Sequence, residues 1–312
     1  MSEAVAILLL AVVLDLVFTE PPPALHLTVW MGRAIAALEK PGLAMKRPAA
    51  QFTYGLAISL LLLVLFGGAS FFLLRFLSGL NAALYIVVAA LLLKPTFCIR
   101  WSGLLSLLVR DYLKQPEPTV EKADKRIRFL LSTVERRPGE DYIPAVASST
   151  IRSLAENASD FLVAPLFYFV LLGVPGAVAY RVANTLDGML GHHGVYEYLG
   201  KFAARFDDVL NFIPARITAV LFILAALLPG FNAGQAWHAA AYDHVRTESP
   251  NAGWPMAAAA GALEVRLGRA DMYALGDPIR PLDADTIGRA VSLFGVMSAL
   301  AVAASALILI YL

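Results

Sequence analysis

The sequence predicts an all-α, polytopic integral membrane protein with four to six membrane segments, some broken or re-entrant, joined by helical polar loops. Three observations predict it. Charged residues make up only 16% of the 312-residue chain, against about 25% in a soluble domain. Apolar residues reach 59% and the mean hydropathy is +0.67, more than a water-facing surface accommodates. The apolar residues are also gathered into runs near the ~20 residues that cross a bilayer as helix. Length alone suggests about two soluble domains. Composition argues instead for a single membrane-embedded domain over 1–312, with a polar helical region at 99–160 and a motif-bearing core at 152–261. The 25 basic and 24 acidic residues give a net charge of +1, so no counterion-release affinity for nucleic acid is expected. Cys98 is the only cysteine. It excludes a disulfide or a Cys-based metal cluster and, in an apolar stretch, reads as a buried, inert thiol.

Taken in order, residues 4–18 form a short span broken by Asp15. With no basic residue before it and no A-x-A-like site after it, the segment reads as an anchor rather than a cleaved signal. Residues 19–52 hold Glu20-Pro21-Pro22-Pro23, an amphipathic stretch to Glu39, and a turn from Pro41 to Pro48. Two spans follow at 54–78 and 81–98, turning at Gly79. Region 99–160 carries ten basic and nine acidic residues, and 119–137 (Glu121, Lys122, Asp124, Lys125, Arg126, Arg128) reads as a solvated helix. Segments 161–180 and 213–230 are apolar but interrupted, by Gly173-Val174-Pro175-Gly176 and by Pro214 with Arg216. The stretch after Arg289 is uncharged and reads as a clear span. Four basic residues in 19–52 and ten in 99–160 put both in the cytoplasm and the N-terminus outside. If both interrupted segments crossed, loop 181–212 would lie on the far side from its polar neighbours. Two re-entrant or half-inserted hairpins, leaving four full spans, are therefore expected, because broken backbone is tolerated there when covered by protein or a wet cavity.

Region 152–216 is dense in groups that are costly to place near a bilayer without purpose. Arg152, Glu156 and Asp160 recur at i, i+4, i+8, one helical face, with Asn157 beside it. They form either an ion-pair ladder or a carboxylate–amide site for Mg²⁺. Arg181, Asn184 and Asp187 share a face in the next helix, ahead of Gly188, Gly191 and His192-His193. Adjacent histidines point apart, which argues against zinc; His192 fits a phosphate or substrate contact better. Asp207 and Asn211 share a face at i, i+4, and Arg205 can meet Asp208. Hard oxygen ligands of this kind suit Mg²⁺ bridging to substrate phosphates, while Arg181, Arg205 and Arg216 can hold anionic oxygens. The plainer reading is helix-end charges with snorkelling arginines. Ser249-Pro250-Asn251-Ala252-Gly253-Trp254-Pro255 makes a shaped loop around Asn251 before the small-residue helix AAAAGAL. Phosphate-loop, dinucleotide, H-E-x-x-H and nucleophile-elbow motifs are absent from the sequence.

Together, AENASDFLVAPLFYF, PGAVAYRVANTLDGMLG, FAARFDDVLNFIPARITA and SPNAGWPMAAAAGAL closely resemble the adenosylcobinamide-phosphate synthase family of cobalamin biosynthesis. DLVFTEPPPALHLTVWMGRAIAALEK is a weaker match to that family's opening motif. Thr19-Glu20-Pro21-Pro22 stands where the family usually has Gly-Asp-Pro-Pro, and His26-Leu27 where it has His-Pro. Asp160-Phe161 replaces Asp-Gly, Gly191-His192-His193 replaces Gly-Tyr-Arg, and residues 135–141 lack the usual Gly-Arg-Asp-Thr. The resemblance implies a multi-pass membrane ligase joining the free propionate of adenosylcobyric acid to (R)-1-amino-2-propanol phosphate, or aminopropanol, with ATP and Mg²⁺. It also allows association with other membrane enzymes of cobalamin assembly.

Amide formation needs a carboxylate oxygen turned into a leaving group, most simply as an acyl phosphate. Phosphoryl transfer is chiefly a matter of positioning and charge neutralisation. Glu156, Asp160, Asp187, Asp207 and Asp208 are the candidates for Mg²⁺–ATP, with Asn157, Asn184 and Asn211 orienting. Arg181, Arg205 and Arg216 would neutralise phosphate oxygens, Asn251 would contact substrate, and a carboxylate or His192 would serve as general base. A non-catalytic corrinoid-binding relative and a transporter are the alternatives outside catalysis; no inverted repeat supports the latter. A membrane CDP-alcohol phosphotransferase would need Ala-Arg where Gly191-His192 stands.

Overall fold

The computed structural model describes residues 2–18, 20–118, 123–132, 134, 141–269 and 272–311. Thirteen helices are described: α1 (Glu3–Phe18), α2 (Leu27–Leu43), α3 (Pro48–Leu63), α4 (Ala69–Ser78), α5 (Ala82–Leu93), α6 (Arg100–Leu113), α7 (Lys125–Ser132), α8 (Tyr142–Ala158), α9 (Ala164–Leu190), α10 (Lys201–Ala225), α11 (Ala233–Asp243), α12 (Gly253–Leu263) and α13 (Ala284–Tyr311). Two three-residue strands, β1 (Leu267–Arg269) and β2 (Tyr273–Leu275), pair antiparallel with Leu267 opposite Leu275. The all-α expectation holds apart from this hairpin.

Among the described residues, five helical stretches are long and apolar enough to cross a membrane: Pro48–Ser78, Ala82–Leu113, Tyr142–Leu190, Lys201–Ala225 and Ala284–Tyr311. In the first, only 22% of the apolar window is buried, and Phe71, Phe72 and Phe76 are exposed. Such surface is stable against lipid and costly against water. The chain is a multi-pass membrane protein. α1 has 16 residues, short for a span, whereas 161–180 lies within Tyr142–Leu190 and 213–225 within Lys201–Ala225, with 226–230 in turns beyond it. By length and composition the structure therefore offers five spans rather than the four expected.

The interruptions behave differently from one another. Gly173 does break α9, at φ 69° and ψ −167°, a conformation open to glycine and followed by Pro175, which disfavours helix at the residue before it. Pro214 does not break α10, which runs through it. Proline has no N–H to give the carbonyl four residues back, and the Tyr168 hydroxyl donates to that carbonyl, Leu210 O, at 2.9 Å. Residues 181–212 are accordingly not a loop; only 191–200 separate α9 from α10. Pro41 likewise lies inside the last turn of α2 rather than opening a turn. Single π-helical turns interrupt Pro48–Ser78 at Val64–Gly68 and Tyr142–Leu190 at Ser159–Val163. The second contains Asp160, so the i+8 register from Arg152 is lost there. Of the helix expected over 119–137, α7 accounts for the centre; Glu121 and Lys122 lie outside the described residues, as does 135–140.

The chain divides into two compact units: Met1–Cys98 with Ala164–Asn211 and Ala303–Leu312, and Ile99–Val163 with Phe212–Val302. In the first, α9 packs against α2, α3, α4 and α5, and α1 packs on α5. In the second, α8 packs against α6, α12 and β1. α12 also lies along α11 and is buried except at Trp254. Its alanines and glycines allow the close approach that the sequence suggested.

Candidate functional site

In the first unit the half of α9 beyond Gly173 carries Tyr180, Arg181, Asn184 and Asp187 at helical spacing, and the start of α10 carries Asp207, Asp208 and Asn211. Asn211 Nδ2 donates to Asp207 Oδ2 at 2.8 Å, and Asn184 Nδ2 to Asp207 Oδ1 at 3.5 Å. The Tyr180 hydroxyl donates to Asn211 Oδ1 at 2.8 Å, and Arg181 Nη1 to Asn184 Oδ1 at 3.2 Å. Tyr180, Asn184, Asp207 and Asn211 are buried. Tyr168 stacks on Tyr180 with ring centroids 5.2 Å apart. The charges of Asp187 and Asp208 bear on Asp207, and that of Arg205 on Asp208, as the i, i+3 spacing of the last pair predicts. His192 is exposed just past α9, with Nε2 3.1 Å from Gly188 O. A Cβ on Gly191 would collide with the Asp187 carboxylate. The sequence placed Arg181, Asn184, Asp187, Asp207, Asp208 and Asn211 together, and this unit gathers them.

These residues suit a hard cation beside phosphate. Each oxygen of Asp207 accepts one amide N–H and keeps a lone pair. Among the described residues, the only acidic or thiol ligand atoms lying three together within 4.8 Å are those of Asp15, Glu20 and Cys98; Asp187, Asp207 and Asp208 are spread more widely. Mg²⁺ in general takes one or two protein carboxylates, keeps several waters and leans on substrate phosphates.

The second unit contains the other predicted residues. Arg152 does not build the ladder with Glu156; its Nη1 donates to the Tyr273 hydroxyl at 2.8 Å. Both arginine and Glu156 line a cavity of about 290 Å³, with Thr247 and Ser249 from the loop before α12 and Arg269 and Tyr273 from the hairpin. Asn157 Nδ2 reaches Ser153 Oγ at 3.4 Å on its own helix. Arg216 lies over Phe212, 3.6 Å from the ring centroid, and donates to Asn251 Oδ1 at 3.3 Å. Two residues singled out separately in the sequence are thus partners. Thr247, Arg269 and Tyr273 were missed because no local pattern marks them.

A further cluster was also missed. Lys94 Nζ lies 3.2 Å from Asp15 Oδ1 and 3.0 Å from Glu20 Oε2, and His26 Nε2 is 2.8 Å from the same glutamate oxygen. Asp15 and Lys94 are buried. Burial alone would push Glu20 up, but hydrogen bonds from His26 and Lys94, with Cys98 adding another, hold it below its ordinary value of 4.5. Cys98 is therefore half-buried beside polar groups rather than buried in an apolar setting. The ammonium supplies the cation that the three ligand atoms could otherwise have held. The available signal was Lys94 inside an apolar run, which calls for a partner.

The family profile described as CobD/Cbib protein matches residues 8–294. A cobalamin biosynthesis protein CobD of Dehalococcoides mccartyi (strain CBDB1) is 43% identical over 285 residues, 91% of each chain. The chain belongs to the CobD/CbiB family. A probable cobalamin biosynthesis protein CobD of Methanothermobacter thermautotrophicus is 40% identical, covering 94% of this chain and 93% of that one. One from Geobacter metallireducens is 36% identical, over 91% and 90%. No solved structure matches. The match takes in every cluster described above, and CobD/CbiB membership places the chain in cobalamin biosynthesis.

Proposed function

We propose that this chain is a membrane ligase that forms an amide between the free propionate of adenosylcobyric acid and the amine of (R)-1-amino-2-propanol phosphate, or of aminopropanol, with cleavage of ATP. The observation that supports this best is the buried Asn184–Asp207–Asn211 network, flanked by Asp187, Asp208 and Arg181. Fixed amides and carboxylates at the junction of two helices cost folding free energy and are retained where charge must be positioned. Asp207, Asp208 and Asp187 would hold Mg²⁺, with Glu156 and Asp160 the further candidates in the second unit; the ion supplies charge neutralisation at the phosphates. Asn184 and Asn211 orient Asp207, and Tyr180 fixes Asn211 in turn. Arg181 offers its guanidinium to phosphate oxygens, as do Arg205 and Arg216.

The carboxylate oxygen takes the γ-phosphoryl group and ADP leaves. The amine then attacks the acyl carbon, phosphate leaves, and a proton passes from nitrogen to a base. Glu156 and His192, both exposed, are the candidates for that base. The excess of basic residues in 19–52 and 99–160 favours the cytoplasm for both regions; an N-terminus outside then requires α1 to cross as well, as a sixth span beside the five long helices. Asp207→Asn combined with Asp208→Asn tests the assignment. Turnover should fall by at least about 100-fold, the scale of losing a transition-state charge contact, while circular dichroism stays that of the wild type. A near-normal rate would remove both aspartates from the reaction.

A further inference from the structure

The cavity of the second unit is lined in part by Glu156, named above as a candidate for Mg²⁺ or for the general base, and its lining is chemically two-ended. Arg152 and Arg269 bring two guanidinium groups to it. Arg152 gives one Nη1 N–H to the Tyr273 hydroxyl at 2.8 Å, and a guanidinium carries five N–H donors in a fixed fork, so the same side chain can also meet an oxyanion. Ser249 Oγ accepts from the backbone N–H groups of Asn251 and Ala252 at 3.2 and 3.3 Å, which leaves its own proton to donate. Opposite in charge, Glu156 and Glu248 line the same cavity and are exposed. Between the two sets, Ala252, Met256 and Met272 give an apolar wall.

Size narrows the ligand. At about 290 Å³ the cavity lies at the small end of the range of small-molecule sites, about 300–1,000 Å³. A short carbon chain with a phosphate at one end and an ammonium at the other matches its two-ended lining. We infer that this cavity binds the amine substrate as its phosphate monoester, with Arg152, Arg269 and Ser249 on the phosphate, Glu156 and Glu248 on the ammonium, and the methionines along the carbon chain. The inference rests on the amide-forming reading for the identity of the amine. The same chemistry occurs in an ethanolamine lipid headgroup, but there the phosphate is a diester, with one fewer anionic oxygen for two guanidinium groups to share.

The test is isothermal titration of the full-length protein in detergent with (R)-1-amino-2-propanol phosphate, aminopropanol, inorganic phosphate and glycerophosphoethanolamine. The phosphate monoester should bind tightest. Arg269→Gln and Arg152→Lys should each weaken it by about 10- to 100-fold, the loss of one charge-assisted contact, and leave aminopropanol little changed. Glu248→Lys, at an exposed position where folding is not at risk, should weaken the monoester while leaving inorganic phosphate unaffected or tighter. Unchanged monoester affinity in all three variants, or a headgroup diester bound as tightly as the monoester, would overturn the assignment. Parallel turnover assays separate the two readings. Amide formation with an unaltered KM for the amine in the arginine variants would remove the cavity and leave the ligase. Variant-sensitive binding without any amide product would support the cavity and remove the ligase.

Discussion

Lys94→Met isolates the buried ion cluster. Methionine keeps a stem of similar length and removes the ammonium from Asp15 at 3.2 Å and Glu20 at 3.0 Å. The Asp15 side chain is 0% exposed and that of Lys94 5%, so water cannot take over the lost contact. Removing one partner of a buried pair costs about 3–5 kcal/mol, because the other charge stays behind uncompensated. At about 2–4 °C per kcal/mol for a chain somewhat shorter than this one, Tm should fall by roughly 6–20 °C. Asp15→Leu combined with Lys94→Met removes both charges and should recover most of that loss, since an apolar replacement of the whole pair is often close to neutral. The assay is thermal unfolding of detergent-purified protein for wild type, both single variants and the double, read as a cycle with a coupling of at least about 2 kcal/mol. A Lys94→Met protein melting within about 2 °C of wild type, or single losses that simply add, would refute the argument.

Three other outcomes are expected. Glu20 is held below its ordinary value of 4.5, so its stabilising share is fully present above that pH and is lost as pH falls through the lower folded value. The Tm gap between wild type and Glu20→Gln should accordingly close on acidification, and a gap that widens would contradict the assignment. Tyr168→Phe leaves Leu210 O without its hydroxyl partner beside Pro214 and should destabilise by about 1 kcal/mol, whereas no change in Tm would mean that the carbonyl needs no donor. A reporter fused after residue 140 should give a cytoplasmic signal, and an outside signal would reverse the topology.

Runs of one composition were legible in the sequence. The uncharged stretch after Arg289, the hairpin of spans around Gly79 and the break at Gly173 follow from local chain chemistry, and the structure contains each of them. Helical spacing likewise put Asn184 and Asp187 on one face and Asp207 and Asn211 on another. What could not be read depends on partners far along the chain. α10 survives Pro214 because of Tyr168, 42 residues from Leu210. Arg152 forgoes Glu156 on its own helix for Tyr273, 121 residues away. Asp15 looked like a flaw in a span because Lys94, its counter-ion, is supplied by the far end of α5. Local spacing states which residues can meet on one helix; packing decides whether a better partner arrives from elsewhere.

The central claim is the amide-forming reaction, and its most direct test is a single incubation. Purified protein would be mixed with adenosylcobyric acid, Mg²⁺–ATP and (R)-1-amino-2-propanol phosphate, and the corrinoids and nucleotides followed by mass spectrometry. The account predicts an amide-linked corrinoid heavier by the amine less one water, appearing with one ADP per product and only when all three substrates are present. ATP left intact and adenosylcobyric acid recovered unchanged, from protein that still binds the corrinoid, would contradict it.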